Sequence, residues 1–193
     1  EVTGETPETV QQDFKSTIEP VLKGSDPLRI AAINEKLTEK LSKRPAAMAL
    51  VDMALYDILG KVSGLPVYLL LGGYRDSIKT SITIGIADLN ETVKRAIELI
   101  GEGFRALKIK GGKCLEEDIE CVIKVREAVG KTIELRFDAN QGYTSEQTLE
   151  FVTAVRSAKL ELIEQPTPRE QTDLLGKLSQ QVALPVMADE SLL

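Results

Sequence analysis

An α/β fold with parallel strands, preceded by a helical segment, is predicted by three observations. Residues 6–64 repeat their apolar positions at helical spacing and contain no convincing strand. After Asp76, short β-prone runs alternate with helical ones at about one βα unit per 25 residues, the pattern of a parallel sheet. The second to fifth of these runs each end on a charged residue, namely Lys110, Asp138, Glu164 and Asp189, at steps of 28, 26 and 25 residues.

The elements follow in order. Thr6 with Pro7 forms an N-cap and first-turn pair, and Val10, Phe14, Ile18 and Val21 recur along one helical face. Asp26-Pro27 opens a second helix striped by Ile30, Ile33, Leu37 and Leu41. A third carries Met48, Val51, Leu55 and Ile58 and is expected to stop at Gly60. Gly64-Leu65-Pro66 through Leu71-Gly72-Gly73 connects to a new layout. Strands are expected within 78–86, 104–110, 132–138, 160–164 and 183–189, with helices opening near Asn90, Glu116, Ser145 and Pro168. Thr144 and Gln147 make a capping box for the helix at Ser145. Residues 1–75 are thus the helical part of one domain with its connector, and 76–193 the first portion of a (β/α) barrel.

Composition narrows the function. At 42% hydrophobic the chain can bury a core, and a 28% charged fraction does not suggest disorder. No apolar run nears the roughly 20 residues that cross a bilayer. A net charge of −6 argues against nucleic-acid binding, which needs a basic footprint. Cys114 and Cys121 are too few for a disulfide framework and sit on neighbouring helical turns, so a reduced, cytoplasmic setting is expected. There is no His, so Ser-His-Asp and Cys-His chemistry cannot be assembled from this sequence. A general base here must be Lys, a carboxylate or Tyr.

The charged strand ends then become informative. In a (β/α) barrel the C-terminal strand ends form the active-site face, so Lys110, Asp138, Glu164 and Asp189 would converge there. Alternation agrees: Leu107 and Ile109 oppose Lys108 and Lys110, while Ile133, Leu135 and Phe137 oppose Asp138. Val186 and Ala188 oppose Asp189, which favours Asp189 over Glu190 as the inward group. Three convergent carboxylates repel one another unless a cation sits between them, and oxygen-only ligands point to Mg²⁺ before Mn²⁺. Such a site can hold a substrate carboxylate and stabilise the charge left when the neighbouring proton departs. Lys110 is the candidate base. Lys108, on the same face, would depress the Lys110 pKa by like-charge repulsion; alternatively it pairs with an inward carboxylate and leaves Lys110 alone as base. Asn140 and Gln141 fall beside the candidate metal ligands.

The ordered segments Lys108-Ile109-Lys110, Asp138-Ala139-Asn140-Gln141-Gly142-Tyr143, Ile163-Glu164-Gln165-Pro166 and Ala188-Asp189-Glu190-Ser191 resemble the muconate-lactonizing-enzyme subgroup of the enolase superfamily. Ala54-Leu55-Tyr56-Asp57 and the Gly64 to Gly73 stretch resemble that subgroup's passage from an α+β capping domain into a TIM-type barrel. The resemblance implies metal ligands at Asp138, Glu164 and Asp189, catalytic Lys110 and Lys108, and a small carboxylate substrate such as a dipeptide. It looks most like a dipeptide epimerase of the L-Ala-D/L-Glu type. Muconate cycloisomerase, o-succinylbenzoate synthase, N-acylamino-acid racemase and a non-catalytic metal-binding fragment are the alternatives. A second Lys, on a sixth strand and the opposite substrate face, is implied outside these residues, so the chain is expected to be a portion of a longer one. Members of the subgroup are often symmetric homo-oligomers.

Overall fold

Helix comes first, as the sequence pattern requires. The computed structural model describes residues 4–192, and its first unit ends at Ile78. Thr6 caps α1 (Pro7–Asp13) in a reciprocal box with Thr9, each side chain accepting the other's backbone N–H. The chain then passes through a wide π-type turn, Phe14–Ile18, into α2 (Glu19–Leu22). Pro20 has no N–H to donate, and its ring would crowd the carbonyl of Ser16, so the turn widens. The extra residue rotates the apolar stripe. Ile18 is fully buried while Phe14 is 39% exposed, so the expected four-residue stripe breaks at Phe14.

Two helix boundaries also differ from expectation. Asp26 accepts the N–H of Leu28 in a local turn, which delays α3 until Ile30–Leu41. The next helix, α4 (Pro45–Ser63), runs through Gly60 and ends at Gly64, whose φ of 69° is left-handed. Gly60 is small for a different reason: a Cβ there would lie 3.0 Å from the Leu65 carbonyl oxygen. The exposed backbone at the start of α4 is met by Glu5, whose carboxylate accepts the N–H groups of Ala46 and Ala47. A short α5 (Val67–Leu70) follows. Ile18, Ile33, Leu37, Leu41, Ala47, Val51 and Leu55 form this unit's core, each larger side chain contributing about 1.5–3 kcal/mol by burial.

The second unit, Lys79–Leu192, contains five parallel strands in sequential order. They are β1 (Ile82–Ile84), β2 (Ala106–Lys110), β3 (Glu134–Asp138), β4 (Leu162–Glu164) and β5 (Val186–Met187). The outer strands are shorter than the β-prone runs at 78–86 and 183–189. The ladders pair Ile82–Ile84 with Leu107–Ile109 and Val186–Met187 with Ile163–Glu164. Between the strands lie α6 (Leu89–Gly101), α7 (Leu115–Val129), α8 (Ser145–Ala154) and α9 (Thr172–Gln181). Asp88 caps α6, and the Thr144–Gln147 box caps α8 with both reciprocal bonds present. Pro168 opens a turn rather than a helix, with the Gln171 N–H bonded to its carbonyl, and α9 starts only at Thr172.

Strand alternation sorts the two faces. Leu107, Ile109, Leu135, Phe137 and Ile163 are fully buried in one core with Leu99, Val122, Val125 and Phe151. Phe137 and Phe151 pack with ring centroids 4.4 Å apart, and Tyr143 closes the cluster at 5.5 Å from Phe151. The lysines and carboxylates are left on the other face. Cys114 and Cys121 are free thiols, and burial pushes the Cys121 thiol up to about 11. Among the described residues, no helix is long and apolar enough to cross a membrane.

Candidate active site

Parallel register sets three of the charged strand ends at one height. Lys110 pairs across to Asp138, and Asp138 to Glu164. Asp189 lies differently. Strand β5 ends at Met187, the register partner of Glu164, so Asp189 stands two residues past the strand and is exposed. It keeps the parity of Met187 but not the expected strand-end position.

The side chains form a compact ionic cluster. Lys108 Nζ lies 2.9 and 3.1 Å from the two oxygens of Glu164 and 3.5 Å from Asp138 Oδ2. Lys110 Nζ lies 2.9 Å from the same Asp138 oxygen and donates to Asn140 Oδ1 at 2.8 Å. Asn140 returns its backbone N–H to Asp138 Oδ1 at 3.0 Å. Asp138 and Glu164 are almost completely buried, whereas the Lys110 side chain is one-third exposed. Lys110 is therefore the accessible amine of the pair.

The electrostatics separate the groups further. Burial opposes the Lys108 ammonium but is outweighed by its hydrogen bond to Glu164 and the charges of Glu164 and Asp138, so its pKa lies above the ordinary lysine value. Of the two readings of Lys108, the geometry matches the one that pairs it with an inward carboxylate. Burial pushes the Glu164 carboxyl up; the Lys108 hydrogen bond pulls it back, and the charges of Asp138 and Asp189 add to the rise. Burial, reinforced by Asp118, drives the Tyr143 phenol far above its usual range, which removes it as a general base.

Donor chemistry fits a divalent cation here. Asp138 Oδ2 is buried and accepts no hydrogen bond, because the approach of Lys110 is an ion pair without hydrogen-bond geometry. Asp138, Glu164 and Asp189 supply oxygens only, the preference of Mg²⁺. As the side chains stand, no group of three or more acidic, His or Cys side chains among the described residues closes on a common point. Lys108 bridges Glu164 and Asp138 instead, and a cation would have to take over those contacts.

Several residues that shape the site carry no periodic signal in the sequence. Asp118, on α7, accepts the Gly112 N–H at 2.8 Å and the Tyr143 hydroxyl at 2.7 Å, tying the loop after β2 to the loop after β3. The two loops touch through backbone. A Cβ on Gly112 would lie 1.8 Å from the Ala139 carbonyl oxygen, and one on Gly142 would lie 1.9 Å from the Gly112 oxygen. Gly112 also has a left-handed φ of 95°. Asn140, Gln141 and Gln165 share positive φ, values that cost about 1–3 kcal/mol where Cβ is present. The one hint in the sequence is Gly111-Gly112 directly after the Lys110 strand end.

Gly112→Ala tests this contact. It is expected to lower the unfolding free energy by about 4 kcal/mol or more, since neither backbone segment can retreat cheaply. Urea unfolding measures it, and a loss below about 1 kcal/mol would contradict the close approach.

Residues 1–72 match the family described as mandelate racemase / muconate lactonizing enzyme, N-terminal domain, and residues 91–193 match the enolase C-terminal domain-like family. A hydrophobic dipeptide epimerase of Enterococcus faecalis is 41% identical over 168 residues, covering 87% of this chain and 48% of that protein. The crystal structure of a dipeptide epimerase from Enterococcus faecalis, complexed with Mg and L-Leu-L-Tyr, superposes with a TM-score of 0.91 at 39% identity, covering 98% of this chain and 53% of that one. A substrate-liganded L-Ala-D/L-Glu epimerase from Bacillus subtilis gives a TM-score of 0.93 at 32% identity, with coverage of 98% and 54%. The chain spans about half the length of the curated relatives it matches.

Proposed function

The chain belongs to the mandelate racemase/muconate lactonizing enzyme family of the enolase superfamily, and on that premise we propose that its protein is a metal-dependent dipeptide epimerase. The observation that carries the reading is the shared register of Lys110, Asp138 and Glu164, with one partly exposed amine set beside buried carboxylates. The Mg and dipeptide complex of the Enterococcus faecalis relative supports both the ion and the substrate class.

In this reading Asp138, Glu164 and Asp189 hold Mg²⁺, with Mn²⁺ as a substitute. The bound ion would supply Lewis-acid stabilisation of negative charge developing on the substrate carboxylate. Lys110 Nζ takes the proton from the carbon next to that carboxylate, oriented by its hydrogen bond to Asn140. Lys108 keeps its charge and holds the Glu164 carboxylate in place. Inversion at the carbon needs a proton donor on the opposite substrate face, which the family resemblance implies is a Lys on a sixth strand. The proposal includes a reduced, cytoplasmic setting, consistent with two free thiols.

Product analysis tests the substrate class. Full-length protein with Mg²⁺ is incubated with L-Ala-L-Glu, apolar dipeptides and N-succinyl amino acids, and stereoisomers are separated by chiral chromatography. Epimers of at least one dipeptide, led by L-Ala-D-Glu, are the expected product. Turnover of N-acyl amino acids alone would exclude dipeptides as the substrate class.

A further inference from the structure

The strongest feature left unused by this chemistry is the buried amide of Gln165, one residue past Glu164. Its side chain is fully buried and makes four hydrogen bonds. Oε1 accepts the backbone N–H groups of Asp189 at 2.9 Å and Ser191 at 3.1 Å. Nε2 donates to the Thr167 carbonyl at 2.9 Å and to Ser191 Oγ at 2.8 Å. Two lone pairs and two N–H groups are the whole capacity of a primary amide, so the group is saturated. Its orientation is unambiguous, because two backbone donors face one end and a carbonyl faces the other.

The backbone of the same residue is engaged as well. Gln165 N–H bonds to the Met187 carbonyl at 2.9 Å, and its own carbonyl accepts from Gln141 at 2.7 Å. A φ of 35° accompanies this arrangement, a conformation that glutamine adopts only when its surroundings hold it there. One residue therefore joins the ends of β3, β4 and β5. Asp189 itself has left the sheet, since β5 stops at Met187. Among the described hydrogen bonds, the link from its backbone N–H to Gln165 is what fixes it relative to Glu164.

We infer that Gln165 is a positioning residue that sets Asp189 against Glu164 as a cation-binding pair. The inference rests on the metal site proposed for Asp138, Glu164 and Asp189. Only an amide serves. Methionine fills the same volume but leaves the Asp189 and Ser191 N–H groups without an acceptor. Asparagine keeps the amide but is one methylene too short to reach from β4 to Asp189.

Mn²⁺ binding, followed by the electron paramagnetic resonance signal of the free ion, tests this on full-length protein without any turnover. Gln165→Met and Gln165→Asn are compared with wild type and with Asp189→Asn, and circular dichroism checks each fold. The expected result is a Mn²⁺ Kd raised about 10- to 100-fold in the Gln165 variants, the usual cost of losing a group that orients a ligand. A folded Gln165 variant that binds Mn²⁺ as tightly as wild type, while Asp189→Asn binds weakly, overturns the inference and leaves the metal site standing. Unchanged binding in Asp189→Asn removes Asp189 from the site and the inference with it. If neither Gln165 variant folds, Gln165 is a folding residue and the positioning role is overturned.

Discussion

Lys110→Ala is expected to slow exchange of the substrate α-proton with solvent by about 10²- to 10⁴-fold, the range a positioned general base contributes. Lys110 is singled out from Lys108 by exposure and partners. Its side chain is 33% exposed, against 20% for Lys108, and its hydrogen bond goes to the neutral Asn140 amide. Lys108 instead spans both oxygens of Glu164. Metal affinity should change little in Lys110→Ala, because the ion pair with Asp138 lacks hydrogen-bond geometry and its loss frees an oxygen rather than removing one. Exchange rates measured by ¹H NMR, beside Mn²⁺ titration, check both halves. Exchange within about threefold of wild type on both epimers of the substrate would remove Lys110 from the chemistry.

The second large effect is expected from Asp138→Asn. Asp138 Oδ2 lies 2.9 Å from Lys110 Nζ and 3.5 Å from Lys108 Nζ, and the carboxylate is 2% exposed. Neutralising it leaves two ammonium groups facing an amide, with Glu164 as the nearer counter-charge. The substitution also takes away the buried oxygen that accepts no hydrogen bond. Divalent-cation affinity should fall by at least about 100-fold, the upper end of what losing even a ligand's neighbour costs. Isothermal titration with Mg²⁺ reads the change directly. Wild-type affinity in a folded Asp138→Asn protein would exclude Asp138 as a ligand.

Much of the barrel portion is legible in the sequence because two periods coincide there. Alternation within each strand puts Leu107, Ile109, Leu135, Phe137 and Ile163 on the helix-covered side, where all are buried. Repetition of the βα unit brings Lys110, Asp138 and Glu164 to the same height, where they pair in register. Strand length is not encoded this way. The ladders take up only Ile82–Ile84 and Val186–Met187 of the runs at 78–86 and 183–189. Helix ends are not encoded this way either. Gly60 resembles a stop, yet its missing side chain makes room for the Leu65 carbonyl, a contact visible only in three dimensions. The π-type turn before Pro20 likewise shifts Phe14 out of a stripe that the helical spacing supports.

The hydrogen bonds that brace the candidate site obey neither period. Asp118, Tyr143 and Gln165 join loops whose approach depends on the folded barrel ends, with |i−j| of 25 for Asp118–Tyr143 and 26 for Gln165–Ser191. No local pattern links such positions. The left-handed backbone of Asn140, Gln141 and Gln165 adds strain where the candidate ligands sit, consistent with a site stiffened at some cost to stability.

Deuterium incorporation in D₂O tests the central claim most directly. Full-length protein is incubated with L-Ala-L-Glu and apolar dipeptides, and the α-proton of the C-terminal residue is followed by ¹H NMR with Mg²⁺, after EDTA, and with Mg²⁺ restored. Metal-dependent loss of that signal, halted by EDTA, recovered on adding Mg²⁺ and abolished in Lys110→Ala for at least one epimer of the substrate, is the predicted result. Retention of the α-proton on every dipeptide by folded, Mg²⁺-loaded protein would contradict proton abstraction at this site.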